Sequence, residues 1–475
     1  MSSNGTVSAV DGQPVRTLGG VELREDVPLK SSAGAAGVGG EVRCCAGGPR
    51  LIPGAFAALS ACITLALLTQ IYCGDYEVVP HGSVSSSAAS CSRAGTDALK
   101  AGGRAFDAAA AAALCLAVLA PHRTSLDASG SLLYWEYRDL RTQQPVLYEW
   151  GNIEAKEGEA GGGVELERPP RLVAALAYLH SSLGALPWAR VLAPAIQLAR
   201  DGFPVSEGLS VVEEARGEIL LTGSNTTSPE LEDYLLSLQV NTSAELSQSW
   251  NSSYLVRRSA PTQVMAGSWR VLAGGRGANA ALRALQVSLE PPPTSPDEAQ
   301  YRVVAALQRE SGAGVRAGGV ATGLAVVDSR DTYIALVTGI SEPFGSGEVS
   351  AGGWRRDEPL AALDLAPAIL YEPNVCGSRY VVGAEASAAM AQAATALALE
   401  GAMSGVERAR VSLLADGALA QEALRAQLFP LQPALAPLVL RNASFPYTAV
   451  NLVLQRGDAL TSHADSRGGG LASRF

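Results

Sequence analysis

Four histidines are the first candidates for chemistry: His81, His122, His180 and His463. They lie far apart and share no motif. His180 falls within an amphipathic helical pattern, where an imidazole serves structure more often than catalysis. Nothing in the spacing argues for a Ser–His–Asp triad. The chain has no GxSxG elbow, no HExxH pair, no phosphate-cradling P-loop and no dinucleotide fingerprint. Of the seven cysteines, Cys91, Cys115 and Cys376 are too few and too scattered for a metal site, and Cys115 sits in an apolar Ala-rich run that reads as core. Cys44 and Cys45 lie just ahead of a long apolar stretch, where they read either as S-acylation sites or as plain thiols. Neither a metal nor an organic cofactor is implied. A net charge of −10 and a pI near 5.1 argue against nucleic acid, which needs a basic face.

The elements that must hold any site follow from pattern. Residues 1–50 are rich in Gly, Ser and Ala and read as a disordered cytoplasmic tail. Leu51 to Tyr72 carries no charge over 22 residues. As a helix that is about 33 Å, against a hydrocarbon core of about 30 Å, so it reads as a membrane span. Arg43 and Arg50 precede it and Asp75 and Glu77 follow, which keeps the N-terminus cytoplasmic and sends the rest to the lumen or exterior, a single-pass type II topology. Sequons at Asn225, Asn241, Asn251 and Asn442 all fall beyond the span and can be glycosylated there; the one at Asn4 falls before it and stays bare. Residues 73–90 read as a stalk.

Beyond the stalk, Gly102-Gly103 divides two helices, the second covering Ala105 to Leu119 and apolar nearly all round, hence buried. The alternation in 130–150 predicts a hairpin. Arg171 to Ser182 and Trp188 to Arg200 predict amphipathic helices, and the region 205–260 with its three sequons a glycosylated surface. A helix is expected at Glu298 to Gln308, two strands within 320–338, a strand at Arg379 to Val382, a helix at Ser387 to Glu400 and a late strand within 445–456. The mixture is α+β.

Several segments carry a family resemblance. CSRAGTDALKAGGRAFDAAAAAALCLAVLAPH (91–122), LGALPWARVLAPAIQLARDGFPVS (183–206), VATGLAVVDS (320–329), EPFGSG (342–347) and ADSRGGG (464–470) resemble the gamma-glutamyltransferase family, and the span with its trailing sequence, TQIYCGDYEVV, resembles its membrane-anchored branch. The resemblance implies an N-terminal nucleophile hydrolase with an αββα sandwich, whose precursor cuts itself before a Thr. That Thr then attacks the γ-glutamyl amide of glutathione or its conjugates, and water or an amino acid or dipeptide takes the acyl group. Here it implies Thr322 as nucleophile, a large-subunit region 91–321 and a small-subunit region 322–475. Ungapped matching on LAVV puts Ala321 at the nucleophile position; a one-residue shift restores Thr322. An ordinary strand-edge Thr is the other reading of that residue.

The same resemblance carries substrate-binding roles to Gly339 and Ser341, where the family has Thr and Asn, and to Ala386 and Ser387, where it has the paired glycines of the oxyanion loop. Other departures are larger. RTSLDASGS (123–131) replaces a glycine-rich stretch, Trp150 stands where the family's carboxylate-gripping Arg is expected, the acidic segment after Gly347 is missing, the paired serines fall at Leu363 and Asp364, and the large-subunit region is short. An indole cannot give bidentate carboxylate recognition. Two functions therefore stay open: a membrane-bound glutathione hydrolase and gamma-glutamyltransferase, or an impaired member acting as a luminal or extracellular interaction partner. A glycosylated ectodomain of unrelated function is a third.

Overall fold

The computed structural model describes residues 48–73, 81–138, 144–151, 168–217, 219–312, 319–358, 363–374, 377–412, 448–465 and 469–475. Residues 1–47, most of the segment expected to be a cytoplasmic tail and including Asn4, Cys44 and Cys45, lie outside them, as do Cys376 and Asn442. The chain divides into two compact units, 1–76 and 77–475.

In the first unit, helix α1 (Gly48–Cys73) contains the apolar window Ile52–Thr69. Its window residues are exposed along their length, and among the described residues it is the one helix long and apolar enough to cross a membrane.

The second unit runs, in chain order, through β1 (Ser83–Ser86), α2 (Ala89–Lys100), α3 (Ala105–Leu119), β2 (Ser129–Glu136), β3 (Val146–Trp150), α4 (Arg171–Leu183), α5 (Trp188–Asp201) and β4 (Phe203–Pro204). It continues with α6 (Glu207–Ala215), β5 (Asn225–Thr226), α7 (Pro229–Leu238), α8 (Ser243–Ser249), β6 (Val256–Ser259), β7 (Thr262–Ala266), β8 (Trp269–Ala273), α9 (Ala278–Leu289) and α10 (Pro296–Gly312). It closes with β9 (Val320–Val327), β10 (Thr332–Ile340), β11 (Ala368–Tyr371), β12 (Arg379–Ala384), α11 (Ser387–Glu400), α12 (Met403–Ser412), β13 (Val450–Arg456), β14 (Ala459–Ala464) and β15 (Leu471–Arg474).

The strands make two main sheets. One has the order β15-β1-β9-β10-β2-β3-β6 and the other β14-β13-β12-β11-β8-β7, all antiparallel. Three apolar layers follow from the two-residue side-chain period of a strand. Leu324, Val326, Ile334 and Leu336 face α3 and α4 on one side. Leu133, Ala325, Val327, Tyr333, Ile369 and Val381 fill the space between the sheets. Val382, Leu370 and Leu452 face α9, α10 and α11 on the far side. The architecture is the expected αββα sandwich.

Ala-rich helices fit this arrangement because small side chains let helices approach sheets closely. Helix α3 is buried on every side but its C-terminal end, and Asp107 Oδ2 accepts the Arg104 amide at its start, at 2.7 Å. Where β9 meets β12 the sheets come closer still: a Cβ on Gly383 would lie 2.5 Å from the Leu324 amide nitrogen, and one on Gly323 would lie 2.6 Å from the Gly383 carbonyl carbon.

Two expectations are corrected. Residues 83–86, assigned to the stalk 73–90 by their Ser-rich composition, are the buried strand β1, hydrogen-bonded between β9 and β15. Serines are tolerated there because their hydroxyls bond inward, as Ser85 Oγ does to His463 O at 2.8 Å. Cys115 is core, but it is also disulfide-bonded to Cys91, tying α2 to α3 with Cα atoms 5.3 Å apart.

Candidate active site

Thr322 is the third residue of β9 and is 1% exposed. Strand alternation gives it the face shared with Leu324 and Val326, toward the helices. Its hydroxyl donates to Ser87 Oγ at 3.2 Å, and Ser87 Oγ donates to Glu385 Oε1 at 2.8 Å. Asn451 Nδ2 reaches Ser87 Oγ at 3.0 Å and the Gly323 carbonyl at 2.7 Å. Glu385 is buried; its Oε2 accepts the Ala449 amide at 2.7 Å and pairs with Arg123 Nη1. Four separate parts of the chain thus converge on Thr322: the turn after β1, the loop after α3, the end of β12 and the start of β13. Breaking a buried ion pair of this kind by removing one partner commonly costs about 3–5 kcal/mol.

Sequence reasoning missed Ser87, Glu385 and Asn451. Ser87 was hidden in a serine-rich run. Asn451 and Glu385 did leave a trace, as a polar residue inside an apolar strand and an acid just ahead of an Ala-rich helix.

The four residues assigned to substrate binding are placed as follows. Gly339 pairs with Ala321 across the β9–β10 ladder, while Thr322 pairs with Thr338. A side chain at Gly339 would meet the Val320 carbonyl at 2.6 Å and Leu365 Cδ2 at 3.0 Å, so the space beside Ala321 is closed by Leu363, Leu365 and Val337. Ser341 donates both its amide, at 2.9 Å, and its hydroxyl to Asp357 Oδ1. Ala386 is the extended N-cap of α11. Ser387 donates its amide at 3.1 Å and its hydroxyl at 2.9 Å to Asp364 Oδ2. Burial pushes the Asp364 carboxyl upward, against the pull of those two hydrogen bonds, and its Oδ1 has no hydrogen-bond partner.

Trp150 is fully buried; its Nε1 donates to the Ala128 carbonyl at 3.1 Å and its ring fills the space above Gly130. Nearby, Asp127 accepts Arg168 Nη1 at 2.6 Å and Arg171 Nε at 3.2 Å, and also the Asp357 amide at 3.0 Å. Positions where the resemblance expects substrate contacts are here satisfied by the chain's own carboxylates and indole.

The histidines stand apart from this site. His180 Nδ1 is 2.8 Å from Ser243 Oγ and Nε2 is 3.0 Å from Asp107 Oδ1, a Ser–His–Asp proximity. Both Asp107 oxygens already accept the Ala185 amide, and Phe106 and Trp188 cover the imidazole, so the group serves as a buried tie between α3, α4 and α8. His122 is buried beside Phe344 with its Nδ1 unpartnered; burial, followed by the neighbouring Arg123 charge, lowers its pKa to about 3. Asn225, Asn241 and Asn251 are all exposed.

Comparison with known proteins follows the same lines. Residues 91–248 match the family model described as Gamma-glutamyltranspeptidase. Human glutathione hydrolase 7 is 34% identical over 216 residues, covering 44% of this chain and 30% of the relative. Its mouse counterpart is 35% identical over 217 residues with the same shares. The match thus spans about a third of the length of these relatives. Among solved structures, cephalosporin acylase from Bacillus halodurans superposes with a TM-score of 0.61 at 16% identity, over 83% of this chain and 96% of that one, a likeness of fold. The matched stretch 91–248 is thus similar to the gamma-glutamyltransferase family, and within it to glutathione hydrolase 7.

Proposed function

We propose that the protein is a membrane-anchored glutathione hydrolase and gamma-glutamyltransferase with Thr322 as its nucleophile. The observation that carries the reading is the Thr322 hydroxyl, held near the start of a central strand of an αββα sandwich and hydrogen-bonded into a buried polar chain. A hydroxyl is a poor nucleophile at neutral pH and needs an adjacent base. Cleavage between Ala321 and Thr322 supplies one, an α-amine with a pKa near 7.7–8.0. Thr322 then attacks the γ-glutamyl amide, the amine of the cysteinyl product leaves with a proton, and water or an amino acid or dipeptide releases the glutamyl group. Residues 91–321 form the large subunit and 322–475 the small one. By the resemblance Gly339 and Ser341 border the substrate, and backbone amides at Ala386 and Ser387 stabilise the oxyanion once the Ser387 amide leaves Asp364.

The compartment follows from the same chemistry. The Cys91–Cys115 disulfide belongs to an oxidising lumen or exterior. The apolar window of α1, with Arg50 before it and Asp75 and Glu77 after it, suits a type II anchor in the bilayer, with glycans on Asn225, Asn241, Asn251 and Asn442.

One observation favours a second reading, a catalytically impaired member serving as a luminal or extracellular partner. The Ser387 amide, needed for an oxyanion, is already taken by Asp364. Reducing gel analysis of the deglycosylated full chain, with N-terminal sequencing, separates the two. The first reading expects a fragment beginning at Thr322, γ-glutamyl amide hydrolysis, and loss of both in Thr322→Ala. A single uncut wild-type chain would leave the partner reading.

A further inference from the structure

Self-cleavage poses a problem that hydrolysis does not: the α-amine that would activate Thr322 does not exist until the Ala321–Thr322 bond is broken. Some other group must take the hydroxyl proton in the first event. We propose that Ser87 is a catalytic residue for that event and Glu385 its positioning partner, together relaying the proton away from Thr322; this rests on the reading of Thr322 as nucleophile.

The geometry gives the relay a direction. A serine hydroxyl has one hydrogen to donate and two lone pairs to accept with. Ser87 accepts from Thr322 Oγ1 at 3.2 Å and from Asn451 Nδ2 at 3.0 Å, and donates to Glu385 Oε1 at 2.8 Å. Asn451 Nδ2 also donates to the Gly323 carbonyl, which can only accept, so its orientation is set. With both lone pairs engaged, the Ser87 proton points at the carboxylate. Glu385 is held in turn by Arg123 and the Ala449 amide. A buried carboxylate with fixed donors needs no reorganisation when a proton arrives.

The acyl shift balances without a co-reactant, and the hydrolysis that follows takes up one water. Thr322 Oγ1 bonds to the Ala321 carbonyl carbon and the Ala321–Thr322 C–N bond breaks. The Oγ1 proton passes to Ser87 Oγ as the Ser87 proton passes to Glu385; the same path returns one proton to the departing Thr322 nitrogen. The product is an ester plus a free amine, and water hydrolyses the ester to leave the Ala321 carboxylate and the Thr322 hydroxyl.

The test is pulse-chase processing of the full-length membrane protein in microsomes. Wild type, Ser87→Ala, Ser87→Thr, Glu385→Gln, Glu385→Asp and Thr322→Ala are compared, with glycan acquisition and protease resistance checking that each chain folds. General acid–base groups contribute about 10²–10⁴-fold, so Ser87→Ala should slow appearance of the Thr322 fragment by at least about 10²-fold. Ser87→Thr, which keeps the hydroxyl, should restore most of the rate. Glu385→Gln, which keeps the size of the side chain but cannot take up the relayed proton, should slow the fragment's appearance as well, and Glu385→Asp should restore part of the rate. A wild type that cuts and a folded Ser87→Ala that cuts equally fast would overturn the relay and leave Thr322 as nucleophile. A wild type that never cuts would overturn both.

Discussion

At the scale of single residues, burial decides more than residue type. His122 carries a pH effect that its sequence position conceals. In an unfolded chain its imidazole takes up a proton near pH 6.5, whereas in the fold it does so only at about 3. Between those values the unfolded state binds more protons, so stability is complete above 6.5 and falls as pH drops toward 3. At about 1.4 kcal/mol per unit, this group alone removes about 2 kcal/mol between pH 7 and pH 5. Urea unfolding of the wild type and of His122→Phe at both pH values checks this: the variant should lose that much less on acidification, and parallel losses would refute it. Thr322 as a candidate nucleophile was legible only through family likeness. Its partners Ser87, Glu385 and Asn451 were not, because they are separated by 235, 63 and 129 residues of chain or more and meet only when both sheets form. The departures from the family's motifs were legible, but what fills those positions was not. That Asp364 binds the Ser387 amide, and Asp357 the Ser341 amide, depends on loop paths no local pattern encodes.

At the scale of elements, periodicity served well wherever one face or the whole surface is apolar. Helix α3 was expected at Ala105 to Leu119 and α11 at Ser387 to Glu400, and both occur with those bounds. The hairpin in 130–150 is the β2–β3 pair, and the two runs in 320–338 are β9 and β10, joined by a turn in which Asp328 Oδ1 accepts the Arg330 and Thr332 amides. Strand β1 escaped notice because its hydroxyls look like a solvated linker, although neighbouring strands shield them. The β9–β12 crossing escaped as well, since a glycine in a strand signals close approach without naming its partner. That crossing yields a stability prediction. Both Gly323 and Gly383 face backbone atoms, which cannot rotate aside. Gly383→Ala should therefore destabilise residues 77–475 by about 1–3 kcal/mol or more, the usual cost of overpacking. Alanine at Gly401, a left-handed helix C-cap with open space around it, bears only the backbone penalty of its positive φ, about 1 kcal/mol. Denaturant midpoints that rank Gly401→Ala as the more damaging would contradict the close-approach account.

At the scale of the whole molecule, three features bear on the proposed membrane topology, and they can be tested together. The disulfide between Cys91 and Cys115 requires oxidising surroundings. Asn225, Asn241 and Asn251 are exposed on the 77–475 unit, although Asn225 Nδ2 donates to the Asp201 carbonyl at 3.2 Å. The apolar window of α1 has Arg43 and Arg50 ahead of it and Asp75 and Glu77 after it, and the proposed topology puts residues 1–50 in the cytoplasm. In sealed microsomes, a protease added outside should remove an epitope placed before residue 50 and leave the 77–475 unit intact. Each Asn→Gln change at the three exposed sequons should sharpen the gel band by one glycan. A chain lacking residues 1–72 and made in a reducing cytoplasm should carry free thiols at both cysteines and unfold at lower denaturant, by about 2–4 kcal/mol, than the secreted form. Protection of the N-terminal epitope together with absence of glycans would reverse the topology, and would separate Thr322 from the extracellular or luminal γ-glutamyl compounds on which the proposed activity depends.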